Sequence, residues 1–190
     1  MSPNSWFSQP VFLPGGNPET FNEPTLPYPG QLGNRFEIIN PPRQASTATD
    51  SAEDGRAKGY QLVSTDSTMS VAPYDGAVAW WANQAAYRVT TTVTTLGRGR
   101  VAGVFKMAVT AGNFCCVQIK GPGRVKFVDA PVSAPDATGK FVIPSATNGK
   151  ADCLAAGTAP SYPPLGRSLG IFDPPGSAEA LVDLDVPDVY

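Results

Sequence analysis

The sequence predicts an all-β protein, a small β-barrel or sandwich preceded by a long extended N-terminal arm. Three observations lead there. Short β-branched runs recur between glycine and proline turns over residues 73–190. A single stretch, residues 77–87, is alanine-rich enough to read as helix, and with Trp80 and Trp81 it reads equally as strand. Nine prolines punctuate residues 1–43, a spacing that no helix or central strand survives.

The first segment, residues 1–43, should run in polyproline II and turns. It differs from an ordinary disordered tail, which is charged and poor in aromatics. Its first 34 residues hold two charges, Glu19 and Glu23. Aromatic side chains are dense in it: Trp6, Phe7, Phe12, Phe21, Tyr28 and Phe36, joined by Leu13 and Leu26. Fully extended, such a segment reaches about 130 Å. An arm with that much apolar surface needs a surface to lie on, either a partner's or its own domain's.

Residues 44–72 are small and polar and read as a spacer or long surface loop, with a short strand at Gln61-Leu62-Val63. Residues 73–190 read as the folded domain. Strands are expected over residues 87–95 and 101–109 and over 114–119. Gly121-Pro122-Gly123 should turn this last strand into 124–128 as a hairpin. Later strands are expected at 140–143, 166–172 and 180–186.

Composition excludes much chemistry. The chain has no histidine, which removes the usual base near neutral pH, the Ser-His and Cys-His dyads and every histidine metal site. A net charge of −2 argues against a nucleic-acid partner. No apolar run approaches a membrane span, and the start lacks the features of an export signal, so synthesis in a cytosol is expected. Three cysteines give no disulfide framework; Cys115 and Cys116, adjacent on a strand, should face opposite sides, and with Cys153 they read as buried thiols.

The charges that remain are sorted along the chain. Residues 76–128 carry seven bases and no acid, whereas residues 151–190 carry six acids and one base, Arg167. Three arrangements fit: cross-strand pairing within one sheet, pairing between protomers, or a basic face that meets an acidic partner. Arg98, Arg100, Lys120, Arg124 and Lys126 are therefore candidates for an oligomer or partner contact.

Four motifs invite chemistry. Gly97-Arg98-Gly99-Arg100-Val101-Ala102-Gly103 has the flavour of a phosphate loop, but its last glycine is one residue late and a strand follows; a turn fits better. Asp183 and Asp185 share one face of a strand, where a wetted edge or an acid/base pair both fit. A cysteine nucleophile lacks a histidine base. Trp80-Trp81 suits core packing or, alternatively, a stacking platform for a sugar. No catalytic residue, metal site or cofactor is assigned.

Residues 101–190 resemble tailed-bacteriophage capsid decoration (cement) proteins. The likeness is carried by Val101-Ala102-Gly103-Val104-Phe105, by Ala111-Gly112-Asn113-Phe114-Cys115-Cys116-Val117-Gln118-Ile119 and by Gly123-Arg124-Val125-Lys126-Phe127-Val128. Thr147-Asn148-Gly149-Lys150-Ala151, Leu165-Gly166-Arg167-Ser168-Leu169-Gly170 and Ala180-Leu181-Val182-Asp183-Leu184-Asp185-Val186 complete it. The resemblance implies a compact, often trimeric barrel on the outer surface of the viral head, and no enzymatic activity. It also implies arms that reach across neighbouring subunits of the major capsid protein. Trp6, Phe7, Phe12, Leu13, Phe21 and Tyr28 are then the expected capsid-binding anchors. The alternative expectation is a receptor- or carbohydrate-binding β-module of a tail fibre. A hydrolase built on Asp183 and Asp185 is the third.

Overall fold

The computed structural model describes residues 17–26, 30–39, 56–93, 100–129, 131, 134–136, 138–172 and 178–187. Its elements, in chain order, begin with a single 3-10 turn, Pro18–Thr20. The early strands are β1 (Asn22–Glu23), β2 (Arg35–Ile39), β3 (Ala57–Thr65), β4 (Val78–Asn83), β5 (Arg88–Thr90) and β6 (Val101–Phe105). The later ones are β7 (Phe114–Lys126), β8 (Thr138–Pro144), β9 (Ala151–Cys153), β10 (Gly166–Phe172) and β11 (Glu179–Asp185). The all-β expectation is met: no α-helix occurs among the described residues, and the alanine-rich stretch forms β4.

Five strands close a barrel in the order β3-β5-β4-β6-β7 and back to β3. The β3–β5 pairing is parallel and the other four are antiparallel. Closure follows from alternation. Inward-pointing apolar residues recur along these strands, and Val63, Ala79, Val89, Phe105, Val117 and Ile119 meet in one buried cluster that fills the interior. Rolling the sheet shut buries that row on all sides and leaves the barrel no open edge.

The longest strand, β7, belongs to two sheets. Its first half completes the barrel, and its second half, Lys120 to Lys126, pairs with the whole of β11. From β11 the second sheet continues through β10, β8 and β9, and curls until Ala151 bridges Phe127 just past the end of β7. Its inner face, including Val125, Phe127, Leu165, Val182 and Leu184, packs against Val78, Trp80, Val101 and Val104 from the outside of the barrel.

This continuity corrects the expected hairpin. Gly121-Pro122-Gly123 does not reverse the chain; it bends one strand from the barrel into the second sheet. Gln118, fully buried, stabilises the bend: its side-chain amide donates to the carbonyls of Lys120, Gly121 and Pro122. Proline in the bend has no N–H to offer, and these donors satisfy the carbonyls that an ordinary ladder would have taken up.

The expected divisions at residues 43 and 72 do not hold. β2 falls within the range of the supposed arm and β3 within that of the spacer, yet β2 pairs with β3 in register from Arg35–Gln61 to Ile39–Ala57. β3 in turn is a wall of the barrel, buried over most of its length. Gln61-Leu62-Val63 was the visible centre of this strand; the lysine and glycine before it masked its true extent. Cys115 faces the barrel interior and Cys116 the outside, as alternation requires. All three cysteines are free and buried.

Candidate functional site

Residues 17–26 pack against the outer side of β3 and β7, and β2 pairs alongside β3. Asn17 caps the first turn, its side-chain oxygen accepting from the Glu19 N–H at 2.9 Å. β1 then adds to β7, with Asn22 opposite Cys115. The Asn22 side-chain oxygen accepts from the Asn113 amide at 2.8 Å. Phe21, only 2% exposed, fills a pocket with Tyr60, Leu62 and Cys116, and Leu26, Phe36 and Phe114 close around it. The Phe36 and Tyr60 rings stack with centroids 5.8 Å apart.

One polar group anchors this strap. Glu19 accepts from the Tyr60 hydroxyl at 2.6 Å and from the Lys58 ammonium at 3.2 Å. The Lys58 side chain is 7% exposed and that of Glu19 33%, so the lysine end of the pair lies largely out of water. Burial pushes the Glu19 carboxyl up, but the bonds from Tyr60 and Lys58 and the nearby charge of Lys106 outweigh it and hold the group below its ordinary value. Sequence reasoning missed this clasp. The available signal was a carboxylate, one of two, in an otherwise uncharged apolar stretch.

Phe21 is therefore no capsid anchor: its ring is used up inside its own fold, because the outer face of β3 and β7 presents apolar side chains that needed a cover. Of the other expected anchors, Trp6, Phe7, Phe12, Leu13 and Tyr28 lie outside the described residues.

The basic candidates separate in a similar way. Lys126 pairs with Glu179, its direct cross-strand partner on β11, and that bond raises its pKa; its ammonium also lies 5.7 Å from the Tyr74 ring centroid. Lys120 reaches Glu37 at 3.2 Å across the β2 edge. Intramolecular pairing thus accounts for these two, and the segregation of charge along the chain is partly a pairing of sheet neighbours. Arg100 is exposed, Arg124 is half-buried, and Arg98 lies outside the described residues.

The clefts lined by described residues include a larger and a smaller one. The larger, about 580 Å³, lies where the bend in β7 meets β11 and β10. Asp183 and Asp185 line it, facing outward while Val182 and Leu184 are buried behind them. Arg56 stands 3.8 Å from Asp183, and Arg167 lies over the Phe141 ring at 4.2 Å, so opposite charges face each other across it. The smaller, about 340 Å³, lies beside β4 and β5. Trp80 and Trp81 both line it; Trp80 is 1% exposed and part of the core, and Trp81, on the other face of β4, is partly buried against the cluster that fills the barrel. Among the described residues no cluster of three acidic or cysteine side chains is placed to hold a metal ion, and no helix is long and apolar enough to cross a membrane.

No protein-family model matches the chain, and no curated protein or solved structure matches it.

Proposed function

We propose that this protein is a structural component of a virion, binding the outer surface of the viral head and stabilising the shell by bridging subunits of the major capsid protein. The observation that carries this reading is the character of residues 1–16 beside the anchorage that follows them. Those sixteen residues include no charged side chain and hold Trp6, Phe7, Phe12 and Leu13. Immediately after them, Glu19 and Phe21 fasten the chain to the barrel. A bridging arm needs such a root, since a pull on the arm must reach the folded body. Sixteen residues in polyproline II span about 50 Å, enough to lie across a neighbouring subunit.

The energetic role is linkage. A protein that binds only the assembled shell raises the free energy of shell rupture in proportion to its occupancy. Aromatic anchors supply the affinity, and a trimer of barrels would engage three arms at once, so modest individual binding becomes strong attachment.

The test is deletion of residues 1–16. The barrel should keep its circular dichroism spectrum, because the clasp at Glu19 and the Phe21 pocket are retained, and it should no longer co-sediment with undecorated heads. Unchanged occupancy of heads by the shortened protein would overturn the proposal.

A further inference from the structure

Closure takes up nearly every strand edge in the molecule. The barrel returns from β7 to β3, and the second sheet returns from β9 to the end of β7 through the Ala151–Phe127 bridge. Among the described residues, and leaving aside the two-residue β1, one strand has a strand neighbour on one side alone. That strand is β2, which pairs with β3 and ends the sheet. Leu62 donates its N–H to the Asn34 carbonyl, so by alternation Arg35, Glu37 and Ile39 turn their backbone N–H and C=O away from β3.

β2 lacks the features that usually protect an edge. It has no lysine, no proline and no bulge in its register with β3. Instead it carries Ile38, 37% exposed, one of two large apolar side chains so exposed among the described residues.

The charges on β2 decide what fits beside it. Period two puts Arg35 and Glu37 on one face, and Phe36 and Ile38 on the other. Glu37 accepts from Lys120 at 3.2 Å, and a carboxylate has lone pairs enough for a second donor. Two copies of β2 running antiparallel about a twofold axis must set outward-turned residues opposite one another. With Phe36 opposite the partner's Phe36, Arg35 faces the partner's Glu37, and Glu37 faces the partner's Arg35. Ile38 then lies diagonal to the partner's Phe36, within side-chain reach. The neighbouring register on one side sets Glu37 against the partner's Glu37, and on the other Arg35 against the partner's Arg35. Like charges directly opposite are destabilising, so the strand is complementary to itself in the register centred on Phe36.

We propose that β2 is a self-association edge, along which two copies of this chain join antiparallel in that register into one continuous sheet. Each copy offers one such edge, so this contact closes at two and does not grow into a fibre. Five residues from each copy make a small contact, so the association is weak and concentration-dependent. It is separate from shell attachment, since none of its residues lies in residues 1–16.

The experiment is sedimentation equilibrium of the full chain from about 1 to 500 μM, a span that brackets weak pairing. The average mass should rise with concentration. Ile38→Lys, a solvent-facing change that places lysine on the edge, should weaken the association at least about tenfold and leave the circular dichroism spectrum unchanged. Arg35→Glu should weaken it severalfold, and Arg35→Glu combined with Glu37→Arg should restore it, because the swap preserves complementarity across the axis. Should any of these variants lose the native spectrum, the remaining ones still carry the comparison. The protein lacking residues 1–16 should associate as the full chain does, even where it no longer binds heads. A mass that stays constant over the whole range overturns the proposal. So does an association that Ile38→Lys and Arg35→Glu leave unchanged, or one that the charge swap fails to restore.

Discussion

The Glu19 carboxylate accepts a 2.6 Å hydrogen bond from the Tyr60 hydroxyl, tying the first turn of the described chain to the middle of β3 across 41 residues. The same oxygen accepts from Lys58, whose ammonium has little access to water. The carboxylate thus receives two bonds, one of them charge-assisted. Glu19→Ala should destabilise the protein by about 1–3 kcal/mol in urea unfolding. In a double-mutant cycle with Lys58→Met the two losses should be non-additive, because the side chains share a bond. Strictly additive losses would refute this account.

The clasp also sets an acid limit. A carboxyl whose pKa is lower in the folded than in the unfolded chain contributes its full stability above the unfolded value and loses it as pH falls through the folded value. Glu19 is shifted in that direction from an ordinary 4.5, and Asp66, Asp129 and Asp136 are shifted likewise from 3.8. Stability should hold level near neutrality and decline below about pH 4.5. In Glu19→Gln the decline should be shallower; equal slopes in the two proteins would remove Glu19 from the explanation.

Phe21 covers the Cys116 thiol. Burial pushes that thiol far above its ordinary pKa, so it is neither ionised nor accessible in the native state. The native protein should resist thiol reagents and yield three reactive thiols on unfolding. Phe21→Ala should cost about 3–5 kcal/mol and expose Cys116 ahead of Cys115, which faces the barrel interior. Peptide mapping of the labelled cysteine decides it: equal labelling of the two would show that the strap is not the cover.

Gly121 sits at the bend of β7 with φ +81°, and a Cβ there would lie 2.2 Å from the Ala57 carbonyl oxygen. Gly121→Ala should cost about 2–4 kcal/mol, through backbone strain and the clash together. Hydrogen exchange should rise most where β7 meets β11, since the bend sets the angle at which the second sheet leaves the barrel. Wild-type protection in β11 would contradict this role.

Much of the strand content was legible in residue order alone. β10 at Gly166–Phe172 and β11 at Glu179–Asp185 lie where β-branched runs between glycines and prolines predict them. The outward pair Asp183 and Asp185 and the inward pair Val182 and Leu184 follow from a period of two. The opposed faces of Cys115 and Cys116 follow from the same rule. The smaller cleft was legible only as a pair of tryptophans. Its polar wall comes from the segment after β3, and the distance between Asp66 and Trp81 in sequence hides their common cleft.

The amino-acid order by itself determined local conformation: extended backbone, turns, alternation, and the exclusion of histidine chemistry. Tertiary structure decided what lay against what. Gly121-Pro122-Gly123 is equally compatible with a reversal and with a bend, and the pairing of Lys120–Lys126 with β11 selects the bend. Residues 17–39 are proline-rich and apolar, which requires a cover but does not name it; the bare outer face of β3 and β7 supplied one within the same chain. Burial of apolar surface is non-directional, so a sequence specifies that a greasy segment will be covered, and only the assembled fold specifies by what.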